Sequence, residues 1–169
     1  IDSVYHKIDT LGTSNVVIIS SENDVFVTDL LSKLHACRNP GMVVYGLPIL
    51  ADFDHVSIYD LMDMHVTFPH NKNFDYSEID DFLINFHNQY NYVPNLKYSS
   101  VGYEVGIYFL KLLFEHGQIK PHVDDYGTQI ILGTLYNFQK IKNGGYRNKA
   151  FSILRYNDFG YDNLYINLE

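Results

Sequence analysis

The chain is 169 residues long, 46% hydrophobic and 19% charged, which fits one folded domain or part of one and excludes a disordered polymer. Its formal net charge of -8 sets an unfavourable background for polyanions, so DNA and RNA are not expected partners. The single Cys37 excludes an internal disulfide and any cysteine-based zinc site, and leaves the redox compartment open.

The first residues, from Ile1, show no charged-then-apolar leader, and the chain reads as an excised fragment or processed form. Val16-Val17-Ile18-Ile19 is a β-branched run of the kind that forms a strand buried on both faces of a parallel sheet. Polar Ser20 to Asp24 follows. Val27, Leu30, Leu31 and Leu34 then fall at helical spacing, with Asn39-Pro40-Gly41 as the stop. Met42 to Tyr45 reads as the next strand, ended by Gly46 and Pro48, and His65 to Phe68 as a third, ended by Pro69. Ile79, Phe82, Leu83, Phe86 and Tyr90 share one helical face, with Ser77 as N-cap. A second helix runs from about Tyr98 through Val105, Tyr108, Phe109, Leu112 and Leu113 to Gly117 as its C-terminal glycine. Asn143-Gly144-Gly145 predicts a β-hairpin between Tyr136-Asn137-Phe138 and Ala150 to Leu154. No apolar run approaches the ~20 residues that span a bilayer. The pattern is α/β, a parallel sheet with flanking helices and a C-terminal β-hairpin.

Four stretches resemble the C-terminal half of type I periplasmic binding proteins, the superfamily of branched-chain amino-acid-binding proteins and receptor ligand-binding domains. Val16 to Leu34 looks like the strand, ligand loop and helix of the second lobe, and Met42 to Asp54 like the next strand and its Gly-x-Pro loop. His65 to Pro69 resembles the crossover strand. Tyr92-Val93-Pro94 with Gly102-Tyr103-Glu104 is close to the family's aromatic-Pro segment and Gly-Tyr-Asp helix opening. Asn137-Phe138, Asn143-Gly144-Gly145, Asn148-Lys149-Ala150 and Ile153-Leu154-Arg155 are similar to its closing hairpin. The resemblance implies a two-lobed fold with residues 1-67 and 148-169 in lobe two and 70-134 in lobe one. Residues 135-147 would be the crossover and hairpin turn, and the N-terminal half of the family pattern is absent.

Ligands of open α/β sheets sit beyond the carboxyl ends of the strands. That rule singles out Ser20, Ser21, Glu22 and Asn23 after the first strand, and Gly46, Leu47 and Pro48 after the second. Ser and Asn at these positions equally serve as helix N-caps. Amino-acid-binding family members commonly carry an acidic group in the second loop, where this chain has Leu47 and Pro48; Asp52 is the nearest substitute. Tyr45 and Tyr103 are candidates to stack on a ligand or to pack in the core. His116, His122, Asp124 and Asp125 are too loosely spaced for a metal motif, and Asp75, Glu78, Asp80 and Asp81 suit a helix start electrostatically. There is no nucleophile elbow, phosphate-binding loop or dinucleotide fingerprint, and no cofactor is implied.

The expectation is therefore a non-enzymatic solute-binding or sensing domain of the bacterial cell envelope or periplasm. By resemblance it would be transporter-associated or lipoprotein-like, and would close on an amino acid or other small polar ligand between two lobes. The alternative is a ligand-silent structural or interaction domain associated with peptidoglycan-binding repeats. A homodimer through uncovered sheet edges or helix faces follows from the partial lobes.

Overall fold

The computed structural model describes residues 7-8, 15-37, 41-53, 55-72 and 77-166. The chain divides into two compact units, Ile1–His70 with Ile153–Tyr165, and Asn71–Ser152 with Ile166–Glu169. The expected partition placed its boundaries at 67-70 and 134-148; the units change over at 70/71 and 152/153. Residues 135-147 belong to the second unit.

The first unit is built on a five-stranded sheet. Strands β1 (Asn15–Ile18), β2 (Met42–Tyr45) and β3 (Thr67–His70) are joined in the order β1-β2-β3-β8-β9 by β8 (Ser152–Asn157) and β9 (Gly160–Ile166). β1 and β2 are parallel and in register, from Asn15 opposite Met42 to Ile18 opposite Tyr45, and β2 meets β3 in parallel at Tyr45 and Thr67. β8 and β9 are linked by Asp158 and Phe159, both at positive φ (45° and 59°), the geometry of a tight type I′ hairpin, so the sheet is mixed. Helix α1 (Asp24–Ala36) turns Val27, Leu30, Leu31 and Leu34 inward, at the spacing that places them on one face. With Val44, Leu50, Leu61, Val66, Phe68, Leu154 and Tyr156 they form the buried core, where truncating a leucine to alanine costs about 2–5 kcal/mol.

Three expectations change here. Val16 and Ile18 are 64% and 75% exposed, so β1 is covered on one face only. In register with them, Val43 and Tyr45 are also exposed, because the described chain lays no helix over that side. β3 begins at Thr67 rather than His65, since His65 sits at φ 49° and closes the turn after helix α2 (Ile58–Asp63), donating its N–H to Met62 O. Pro69, expected as the stop, lies within β3. The stop Asn39-Pro40, Asp54 and Asp75, and the side chain of Ser77, lie outside the described residues.

The second unit holds helices α3 (Ser77–Tyr90) and α4 (Leu96–His116) and two hairpins. α4 is capped by Asn95, whose side chain accepts from the Lys97 N–H, and ends on Gly117 at φ 70°. β4 (Gln129–Ile131) pairs antiparallel with β5 (Thr134–Tyr136) across Leu132 and Gly133, at φ 46° and 76°. β6 (Phe138–Lys140) pairs antiparallel with β7 (Tyr146–Asn148) around Asn143-Gly144-Gly145, but the arm expected from Ala150 to Leu154 is not part of this hairpin, since Ser152 to Leu154 begin β8 of the five-stranded sheet. Phe82, Tyr108, Ile131, Leu132 and Tyr136 form the core, with Ile79, Phe86, Val105, Phe109 and Phe138 packed against it. Tyr108 meets the rings of Phe109, Tyr126, Tyr136 and Phe138 at centroid distances of 5.2, 5.4, 5.8 and 5.3 Å, each pair adding roughly 0.5–1.5 kcal/mol beyond burial. Among the described residues no helix is long and apolar enough to cross a membrane.

Candidate functional site

In-register pairing of β1 and β2 sends both following loops off the same carboxyl edge of the sheet. The ladder runs one residue further, with Ile19 N–H donating to Tyr45 O at 2.8 Å. Ser20 to Asn23 and Gly46 to Pro48 are therefore neighbours at that edge, although 25 residues or so separate them in sequence. Gly46 donates its N–H to Thr67 O at 2.8 Å, which ties the second loop to β3. A Cβ at Gly46 would overlap Cδ1 of the buried Leu50, so glycine is what lets Leu50 close over this turn. Pro48 opens a short 3₁₀ turn (Pro48–Asp52) and Leu47, its N-cap, makes no side-chain cap. Asp52, the substitute acid, is exposed.

The first loop spends much of its hydrogen-bonding capacity on α1. Asn23 Oδ1 accepts from Phe26 N–H at 2.9 Å, Asp24 Oδ1 from Val25 N–H at 2.7 Å, and Asn23 O from Val27 N–H at 2.9 Å. Ser21 Oγ in turn accepts from the Asn23 N–H at 3.2 Å. Among the first-turn donors that make a helix N-terminus attract anions, the N–H groups of Asn23, Val25 and Phe26 are thus already occupied, and Glu22 and Asp24 add negative charge beside them. Ser20 and Glu22 are exposed, and the contacts of this loop are made by the other residues. Hydroxyl and carboxylate at such an edge suit a neutral or cationic polar group and oppose a carboxylate or phosphate.

Tyr103, the remaining expected contact, belongs to the second unit. Its ring packs 4.9 Å from Phe82, at one side of a cleft of about 330 Å³ that also involves Glu78, Asp81, Asn85 and Lys111. Glu78 Oε2 accepts from the Leu132 N–H at 2.9 Å and so fixes the β4–β5 turn. Glu104, next to Tyr103 in sequence, is 2% exposed and accepts from the Tyr136 hydroxyl at 2.8 Å. Burial, and then the Glu104 carboxylate, push the Tyr136 hydroxyl pKa well above its ordinary value.

One cluster was not legible from sequence. His35 Nε2 lies 2.8 Å from Asp63 Oδ2 and His35 Nδ1 3.6 Å from Asp60 Oδ1, beside a cleft of about 390 Å³ with Tyr59, Met62, His65 and Asn157. The 28-residue separation of His35 and Asp63 carries no spacing signal. His116 and His122 stack at 4.4 Å, and among the described residues no group of three or more His, Cys, Asp or Glu is placed to hold a metal ion. No protein-family model matches the chain and no curated protein is significantly similar to it, so the family resemblance stands on the residues quoted for it alone.

Proposed function

We propose that the chain is a non-enzymatic solute-binding or sensing domain of the bacterial cell envelope, and that its small ligand presents a neutral or cationic polar group to Ser20 and Glu22 at the carboxyl edge of β1 and β2. The observation that carries this reading is the in-register pairing that puts the Ser20–Asn23 and Gly46–Pro48 loops side by side. The occupied helix terminus sets the charge preference. The second reading, a ligand-silent structural domain, draws support from the second loop. It offers Leu47, Pro48 and a Gly46 N–H already bonded to Thr67.

A thermal-shift panel separates the two. Amino acids, polyamines, polyols and oligosaccharides are tested against phosphate and dicarboxylates. The binding reading expects stabilisation by members of the first group, about 2.7 kcal/mol when the ligand is at 100 times its dissociation constant. Shifts with phosphate or dicarboxylates alone would overturn the charge preference. No shift across the panel would favour the ligand-silent domain.

A further inference from the structure

We propose that α4 mediates symmetric, antiparallel pairing with a second copy of this chain, through an apolar stripe that its own core leaves partly exposed, Tyr103 resting one face on Phe82. α4 buries Ser100, Glu104, Tyr108 and Leu112, four residues at a spacing of four. A second stripe runs along Leu96, Ser99, Tyr103, Gly106, Leu110 and Leu113, spaced 3-4-3-4-3 as in a heptad seam. Leu96, Tyr103, Leu110 and Leu113 are all more than a third exposed, and Phe114 beside them is 86% exposed. A surface helix of a single globular unit carries one apolar stripe; α4 carries two.

Gly106 lies near the middle of this 21-residue helix, where glycine costs about 1 kcal/mol relative to alanine. Nothing within the unit requires it, since a Cβ there would meet no atom within 4 Å. A partner laid against the stripe would. When two copies of α4 run antiparallel, each seam position of one type faces the other type. Tyr103 then falls over Gly106 of the second copy, Leu110 over Ser99 and Leu113 over Leu96, and the two-fold axis repeats each pair. Every large side chain but the leucine pair at the ends meets a small one, the alternation that fills an interface without voids. A parallel pair would set Gly106 on Gly106 and Tyr103 on Tyr103, leaving a gap beside a clash. With Phe114 at the seam's edge counted in full, the exposed parts of the five large side chains amount to roughly 1,000 Å² in total across both copies, at the lower limit for a specific interface. Such an isologous contact closes at two copies.

The pairing does not depend on the ligand site of the sheet unit. Sedimentation equilibrium of the whole chain at about 100 µM should give twice the 19.6 kDa chain mass. Gly106→Leu is the discriminating variant: its side chain meets open space in one copy, so the far-ultraviolet circular dichroism should stay unchanged and the melting temperature read at concentrations where the wild type is unpaired should not fall. It occupies the place of the partner's Tyr103, so the dissociation constant should rise at least 100-fold. Leu110→Glu should abolish pairing while the far-ultraviolet circular dichroism stays unchanged. A wild-type chain that sediments at 19.6 kDa, open-ended higher oligomers, or undiminished pairing of Gly106→Leu would each overturn the proposal.

Discussion

Replacing Tyr136 by Phe removes one hydroxyl from the core of the second unit and tests what holds Glu104 there. The ring keeps its place, stacked on Phe138 at 6.0 Å and tilted against Tyr108 at 5.8 Å, so apolar burial is nearly unchanged. What changes is the environment of a carboxylate that is 2% exposed and accepts the Tyr136 hydroxyl at 2.8 Å. A hydrogen bond to a charged acceptor contributes about 1.5–3 kcal/mol, and a buried acceptor stripped of its donor costs at the upper end of that range. The expected loss is about 2–3 kcal/mol. Glu104→Gln keeps an acceptor oxygen for the hydroxyl and should cost only about 1 kcal/mol. The double variant should cost less than the sum, because both changes act on one bond. Urea titration followed by tyrosine fluorescence reads all three, the chain having no tryptophan to obscure it. A Tyr136→Phe chain within about 0.5 kcal/mol of wild type would show that Glu104 does not rely on this donor.

Stability should decline in alkali. Burial raises the pKa of both the Tyr136 and Tyr156 hydroxyls, seconded by Glu104 for the first and by Tyr161 and Asp52 for the second. Unfolded, both ionise near the ordinary value of about 10; folded, they hold their protons. The contribution is complete below about pH 10 and falls above it by about 1.4 kcal/mol per pH unit for each tyrosine, which chemical denaturation between about pH 8 and 11 would detect. Asp162 behaves in the opposite sense: the Arg155 guanidinium at 2.8 Å lowers its pKa, so Asp162→Asn should remove a small stabilisation present above about pH 4 and absent in stronger acid. Gly46→Ala should destabilise by about 1–3 kcal/mol, because its Cβ must displace the buried Leu50. Unchanged stability of that variant would mean the loop is looser than its packing indicates.

The helices were the most legible part of the sequence, because their apolar spacing and end signals act locally. Asn23, one of the Ser, Asn and Asp residues that could cap α1, does so, and Gly117 ends α4 where its residue type predicts. The tight hairpins were not legible. Leu132-Gly133 and Asp158-Phe159 take the left-handed region without the Asn-Gly or Asp-Gly pair that usually announces it. At Leu132 the conformation is held by the surroundings, since the residue is buried and its N–H is bound by Glu78, 54 positions away. The same limit applies to the candidate site. Loop positions after β-branched strands are readable, and so the two loops were found. That the donors of α1 are already occupied depends on which way Asn23 and Asp24 turn, which no spacing encodes. Glu104 stands out in the sequence only as part of a Gly-Tyr-Glu motif, and its burial against Tyr136 arises from a strand 32 residues further on.

Binding at the carboxyl edge of β1 and β2 is tested most directly by isothermal calorimetry of the wild-type chain and Glu22→Gln with the first-group solute that gives the largest thermal shift. Glu22 is exposed, so the substitution leaves the fold intact. For a cationic solute the account predicts an affinity at least tenfold weaker in Glu22→Gln, about 1.4 kcal/mol, with the loss reduced by added salt. For a neutral solute the corresponding loss is predicted in Ser20→Ala. Equal affinity of the wild type and the matching variant would contradict the placement of the site.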